Sequence, residues 1–167
     1  MSTTDRTAQK ATVTYPTDTE LLITRDFPAP AELVWQALTQ PEHVRNWYGM
    51  EEGGMKTCEI DFRVGGTWHY VLQGGEEGDY SFSGEYREIE PHTRFVSTES
   101  FDNMPGASYL VTVTLEEHDG VTTLRSHLQY PSQELRDGHV ASGMEYGMNI
   151  TYNRLEELLV ALQGRQA

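Results

Sequence analysis

The sequence predicts an α+β fold: a curved antiparallel sheet of about six to seven strands wrapped around one long C-terminal helix. Three observations lead there. Segments near 55–62, 67–73, 80–89, 93–101, 108–117 and 121–130 alternate in polarity or are rich in β-branched and aromatic residues. Turn chemistry separates them. Beyond them, Met144, Met148, Tyr152, Leu155, Leu159 and Leu162 mark one apolar stripe at helical spacing.

Residues 1–18 are polar and rich in Thr, and are expected to form a flexible N-terminal tail ahead of a single domain over 19–164. The first strand is Glu20 to Phe27, with Leu21, Ile23 and Phe27 on one face. Pro28 and Pro30 end it. Pro30 suits the first residue of a helix, where its missing N–H costs nothing. Leu33, Val34, Ala37 and Leu38 follow at helical spacing. Pro41 disfavours α geometry at Gln40 and can open a second short helix, closed by Gly49.

The strands then follow one another through short turns, which reads as a meander. Gly65-Gly66 is a tight hairpin signal, residues 74–79 form a longer loop, and Pro91-His92, residues 102–106 and Asp119-Gly120 supply the remaining reversals. A short helical turn is expected at Ser132 to Arg136. Ser142 with Glu145 three residues on reads as a capping box for the final helix. That helix runs about twenty residues, or roughly 30 Å.

Formal net charge is −14 and the sequence pI is about 4.7. Such a surface repels phosphate backbones and anionic headgroups, so nucleic acid and membrane surfaces are excluded as expected partners. No run of 18 apolar residues exists, and the N-terminus has no secretory h-region. Cys58 is the only cysteine, which fits a reducing cytoplasm and gives no thiolate metal cluster. Cys58 is read as a small core residue. The six histidines include no pair at zinc-ligand spacing, so neither metal nor cofactor is expected.

Several segments resemble a known family. Ala29-Pro30 to Val34-Trp35 and Ala37, the helix from Pro41 to Trp47, Asp61 to Trp68 with Gly65-Gly66, Gly84 to Tyr86 with Glu90-Pro91 and Arg94, and Gly143 to Leu159 match in order and spacing. They resemble the SRPBCC (START-like, Bet v-like) superfamily over about residues 20–162. Within it, they are similar to the subgroup named for the C-terminal domain of the activator of heat-shock protein 90 ATPase. The resemblance implies a helix-grip fold. Its superfamily includes lipid carriers, aromatase/cyclases and co-chaperone domains, so it does not by itself fix a function.

The residues themselves point to a space between sheet and helix. Trp68, Tyr70 and Leu72 share one face by period-two alternation, as do Phe82, Gly84 and Tyr86; Phe95 and Phe101 are also in phase. Met144 and Met148 lie one helical turn apart, and Trp47 and Tyr48 end the short helix. The candidate ligand-binding set is therefore Trp47, Trp68, Tyr70, Phe82, Tyr86, Phe101, Met144 and Met148. Such a lining suits a small apolar or aromatic ligand with a few polar atoms.

No catalytic residue is assigned, and a holder of a ligand is favoured over an enzyme. Two other functions stay open. The resemblance implies a protein-interaction module with a chaperone or other protein partner, which the acidic surface could steer. It also implies an aromatase/cyclase-like enzyme, for which Tyr70 or Tyr86 could serve as acid or base. A monomer and a homodimer are both compatible with the sequence.

Overall fold

The computed structural model describes residues 11–49, 54–74, 76, 78–102, 106 and 108–166. The elements run β1 (Thr12–Thr14), β2 (Glu20–Phe27), α1 (Ala31–Thr39), α2 (Pro41–Trp47), β3 (Met55–Ile60), β4 (Thr67–Leu72), β5 (Tyr80–Glu90), β6 (Arg94–Phe101), β7 (Ser108–His118), β8 (Val121–Gln129), α3 (Gln133–Ala141) and α4 (Met144–Gln166). All eight strands form one antiparallel sheet in the order β1-β2-β8-β7-β6-β5-β4-β3. The expected α+β helix-grip architecture is present, with one strand more than expected.

That strand corrects the reading of the N-terminal segment. Thr12–Thr14, placed in the tail by its polarity, pairs with Leu22 to Thr24 along the edge of β2. Half-buried Val13 packs against the core, and the Ala11 N–H donates to Asn149 Oδ1 of α4 at 2.9 Å. An edge strand needs only main-chain partners and one apolar contact, which composition does not reveal. Residues 1–10 of the expected tail lie outside the described residues, as do parts of the expected loops at 74–79 and 102–106.

Local chemistry explains most boundaries. Pro41 opens α2 at its first position, and Pro30 sits one residue earlier than expected, as the cap of α1. Asp119 and Gly120 both take positive φ, 52° and 81°, the geometry of a tight hairpin turn between β7 and β8. Ser132 caps α3 by accepting from Leu135 N at 3.2 Å, and α3 runs on to Ala141 rather than stopping near Arg136. The expected capping box at Ser142 is not formed. Ser142 closes α3 instead, donating through Oγ to His139 O at 2.6 Å, and α4 starts after Gly143 at φ +87°.

One face of the sheet is covered by helices, and its core falls into two clusters. Leu21, Ile23, Phe27, Val111, Leu124 and Leu128 of β2, β7 and β8 bury against Leu33 and Val34 of α1 and Leu155 and Leu159 of α4. Val44 of α2 closes a second, more aromatic cluster of Met55, Cys58, Trp68, Tyr70 and Tyr86 on β3 to β5. Arg25 belongs to the apolar face of β2 and is fully buried, its Nη2 donating to Glu156 Oε1 of α4 at 2.7 Å. Among the described residues no helix is long and apolar enough to cross a membrane.

Candidate functional site

The two clusters leave the C-terminal half of β6 between them. Phe95, Ser97, Glu99 and Phe101 follow one another at period two, so they share a face of that strand. Glu99 faces Tyr109 of β7 directly in register, and Phe101 faces Phe82 of β5. Tyr48, just past the end of α2, packs against both clusters. Its ring lies 4.8 Å from that of Tyr70 and 6.4 Å from that of Phe82.

Phe82 and Phe101 are 5.1 Å apart between ring centres, and Trp68 and Tyr70 are 4.6 Å apart. Trp68, Tyr70 and Tyr86 are buried together with Phe82 packed on them. Five of the eight sequence-selected residues thus meet on one patch, Phe101 joining through Phe82. The other three belong to the larger cluster. Met144 and Met148 of α4 are half-buried there. Trp47 is buried, and its Nε1–H donates to Ala37 O at 2.8 Å, so it serves as wall and as tie between α2 and α1.

Sequence reasoning missed the polar part of this region. The Tyr109 hydroxyl donates to Glu99 Oε2. Tyr109 stacks on Tyr130 at 4.7 Å, and the Tyr130 hydroxyl meets His139 Nδ1 of α3 at 2.5 Å. Burial lowers the pKa of the His139 imidazole, which favours its neutral form beside the Tyr130 hydroxyl. Burial pushes the Glu99 carboxyl above its ordinary value, with the Tyr109 hydrogen bond pulling the other way. Burial first, and the Glu99 charge second, push the Tyr48, Tyr130 and Tyr152 hydroxyls up as well. The same charge reaches Tyr70 and Tyr109. Glu99 therefore sits within electrostatic reach of phenols from α2, β4, β7, the end of β8 and α4.

These groups are desolvated without being sealed. Glu99, Tyr48, Tyr109 and Tyr152 each keep part of their surface accessible. The hydroxyls of Tyr48, Tyr70, Tyr86 and Tyr152 have no hydrogen-bond partner among the described residues, yet none is a buried atom cut off from solvent. A neutral phenol can still donate and accept one hydrogen bond each way. Such groups can grip a bound molecule; raised so far, they do not act as bases near neutral pH.

The raised carboxyl has a stability consequence. The native chain holds the Glu99 proton at pH values where the unfolded chain has released it. That favours the fold at low pH and is lost as pH rises through the native pKa. Glu99→Gln is expected to match the parent near pH 4 and to exceed it at pH 8. Urea unfolding of both proteins across that range checks the sign; a variant weaker at pH 8 than its parent would refute it.

A second polar chain lies on the opposite face. Ser81 and Ser83 both donate to Asp102 at 2.7 Å, and His69 Nε2 lies 3.0 Å from Ser81 Oγ with its Nδ1 3.7 Å from Glu59. The order serine, histidine, carboxylate imitates a nucleophile triad. However, Ser81 gives its proton to Asp102 rather than to His69, and the His69 and Glu59 side chains are 43% and 75% exposed. The Ser81 oxygen is thus not activated by the imidazole. The core placement expected for Cys58 holds, and burial pushes its thiol up. Among the described residues no group of His, Cys, Asp and Glu could hold a metal ion.

Comparison with known proteins follows the same lines. The model of the family described as Activator of Hsp90 ATPase homolog 1-like protein matches residues 28–160. A Rhodobacter sphaeroides crystal structure is 29% identical, covering 92% of this chain and 99% of its own at a TM-score of 0.84. A Mycobacterium smegmatis protein is 25% identical, covering 89% and 96% at 0.80. DynU16, titled a putative protein in the dynemicin biosynthetic locus, is 25% identical, with 86% of this chain and 48% of that one covered at 0.66. No curated protein matches the chain.

Proposed function

The chain belongs to the Activator of Hsp90 ATPase homolog 1-like family, and from that premise we propose that it is a non-catalytic START-like domain that holds a small apolar or aromatic molecule between β4 to β7 and α4. The observation that carries the reading is the set of unengaged phenol hydroxyls. The Tyr48, Tyr70, Tyr86 and Tyr152 hydroxyls are strongly desolvated and have no hydrogen-bond partner among the described residues, and Tyr48 and Tyr152 keep part of their surface accessible. A solid core would satisfy or exclude such groups. A ligand site leaves them free and surrounds them with aromatic walls.

The walls are Trp68, Phe82 and Phe101 from the sheet, with Met144 and Met148 of α4 on the neighbouring cluster. Flat rings stack on the aromatic faces, and the thioethers adapt to irregular outlines. Two measurements test this. Native mass spectrometry of the purified chain is expected to show a retained small molecule. A titration with the neutral dye N-phenyl-1-naphthylamine is expected to saturate. Met148→Trp should weaken the dye at least tenfold by filling the space, with its urea midpoint close to that of the parent. A chain that retains nothing and binds no dye, or a variant that binds as well as its parent, would rule the site out.

A further inference from the structure

We propose that the molecule held in this site carries a positively charged nitrogen, an amine or quaternary ammonium on an apolar body, and that Glu99 is its counter-ion. The inference rests on the ligand-binding reading above and adds the chemical class. Glu99 stands at the junction of the two core clusters, the one acidic side chain on the shared face of Phe95 and Phe101. Its Oε2 accepts from Tyr109, whereas its Oε1 accepts from no described residue. No cationic side chain among the described residues pairs with it.

The arginines of the surrounding elements are engaged elsewhere. Arg25 is tied to Glu156, Arg136 to Asp137 and Thr17 O, and Arg154 donates to Gly49 O at 2.8 Å and Asn46 O at 3.2 Å. What lies within electrostatic reach of Glu99 instead is uncharged. Tyr48 comes from the end of α2, Tyr70 from β4, Tyr109 from β7, Tyr130 from the end of β8 and Tyr152 from α4, with neutral His139 behind Tyr130 on α3.

A carboxyl group without a cation, bonded to one phenol and within electrostatic reach of several more, is a receptor for an organic cation. The ring quadrupoles attract an ammonium within about 6 Å of their centroids, and quaternary nitrogen is recognised in cages of this kind. The net charge of −14 raises the local concentration of cations and lowers that of anions. A bound ammonium supplies the countercharge that burial withholds, and so draws the proton off Glu99. Cation affinity should therefore rise with pH through the range where free Glu99 titrates. A neutral ligand that accepts a hydrogen bond from protonated Glu99 would show the opposite slope.

The test uses three probes of one shape: 2-naphthylmethylammonium, 2-naphthalenemethanol and 2-naphthoate, measured by calorimetry on the full chain and on Glu99→Gln. The amide keeps the volume and can still accept from Tyr109. The ammonium should bind the parent at least tenfold more tightly than the alcohol, with the naphthoate weakest, and should release protons to the buffer. Glu99→Gln should lose at least tenfold in ammonium affinity, lose the pH dependence, and keep its alcohol affinity within about twofold. Alcohol binding equal to or tighter than ammonium, or an unchanged ammonium affinity in Glu99→Gln, overturns the cation assignment and leaves the ligand site standing. Absence of binding by all three probes and by the neutral dye overturns both.

Discussion

Replacing Glu156 by alanine is expected to cost about 3–5 kcal/mol of unfolding free energy. Arg25 has no exposed side-chain surface and Glu156 only 8%, and their single hydrogen bond is 2.7 Å long. The guanidinium Nε and Nη1 are buried with no hydrogen-bond partner among the described residues. Burial pulls the Arg25 pKa below its ordinary value, and Glu156 is the main group holding it up. The Phe27 ring, 4.9 Å from the guanidinium carbon, contributes too little to stand in for a carboxylate. Alanine would leave a buried cation with no countercharge and a gap between β2 and α4. The double change Arg25→Met with Glu156→Leu removes the charges and keeps the volume. It should come within about 1–2 kcal/mol of the parent or exceed it, as buried pairs replaced by apolar groups often do. Guanidinium unfolding of the parent, single and double variants decides: a mild single variant, or a double variant as weak as the single, would show that the pair is not a buried liability.

The same pair shows how far the sequence could be read. Period two along Glu20 to Phe27 puts Arg25 in phase with Leu21, Ile23 and Phe27, so a charged residue on the apolar face was legible. Its partner was not, because Glu156 borders the α4 stripe four residues after Tyr152, and only packing of α4 across β2 brings them together. The order of strands, the two proline-led helices and the long striped helix were readable because each depends on local periodicity and turn residues. The edge strand at Thr12–Thr14 was not, since its support comes from β2 and from Asn149. Period two through Phe95 and Phe101 also carries Glu99 on their face, a polar residue that the sequence reading passed over. Its surroundings required the β6–β7 register and the descent of α4. Tyr109, Tyr130 and Tyr152 lie 10, 31 and 53 positions beyond it, and spacing alone carries no distance between them.

Gly84 carries the other large effect, and it connects fold to site. Its φ is not positive, so the backbone does not require glycine; the space does. A Cβ built there would lie 1.9 Å from Thr98 O of β6 and 2.5 Å from Trp68 Nε1 of β4. Neither neighbour can yield cheaply. Thr98 O is main chain in a paired strand, and Glu85 N next door already bonds to Thr98 Oγ1 at 3.0 Å. Trp68 is buried against Tyr70. Gly84→Ala should therefore cost about 3 kcal/mol or more, well above the penalty of about 1 kcal/mol or less for a strand residue merely suited or unsuited to its place. Trp68 lies directly opposite Gly84 in the β4–β5 register, so the missing side chain is what leaves room for its indole, tilted against Tyr70 on the floor of the site. Any Gly84→Ala protein that folds should have a displaced Trp68, read as a changed tryptophan emission, and dye binding weakened at least tenfold. Gly138→Ala, in α3 where φ is not positive and a Cβ meets nothing within 4 Å, is the control. A Gly84→Ala protein as stable as that control, with parental emission and parental dye affinity, would mean that the floor is set by something other than this close approach.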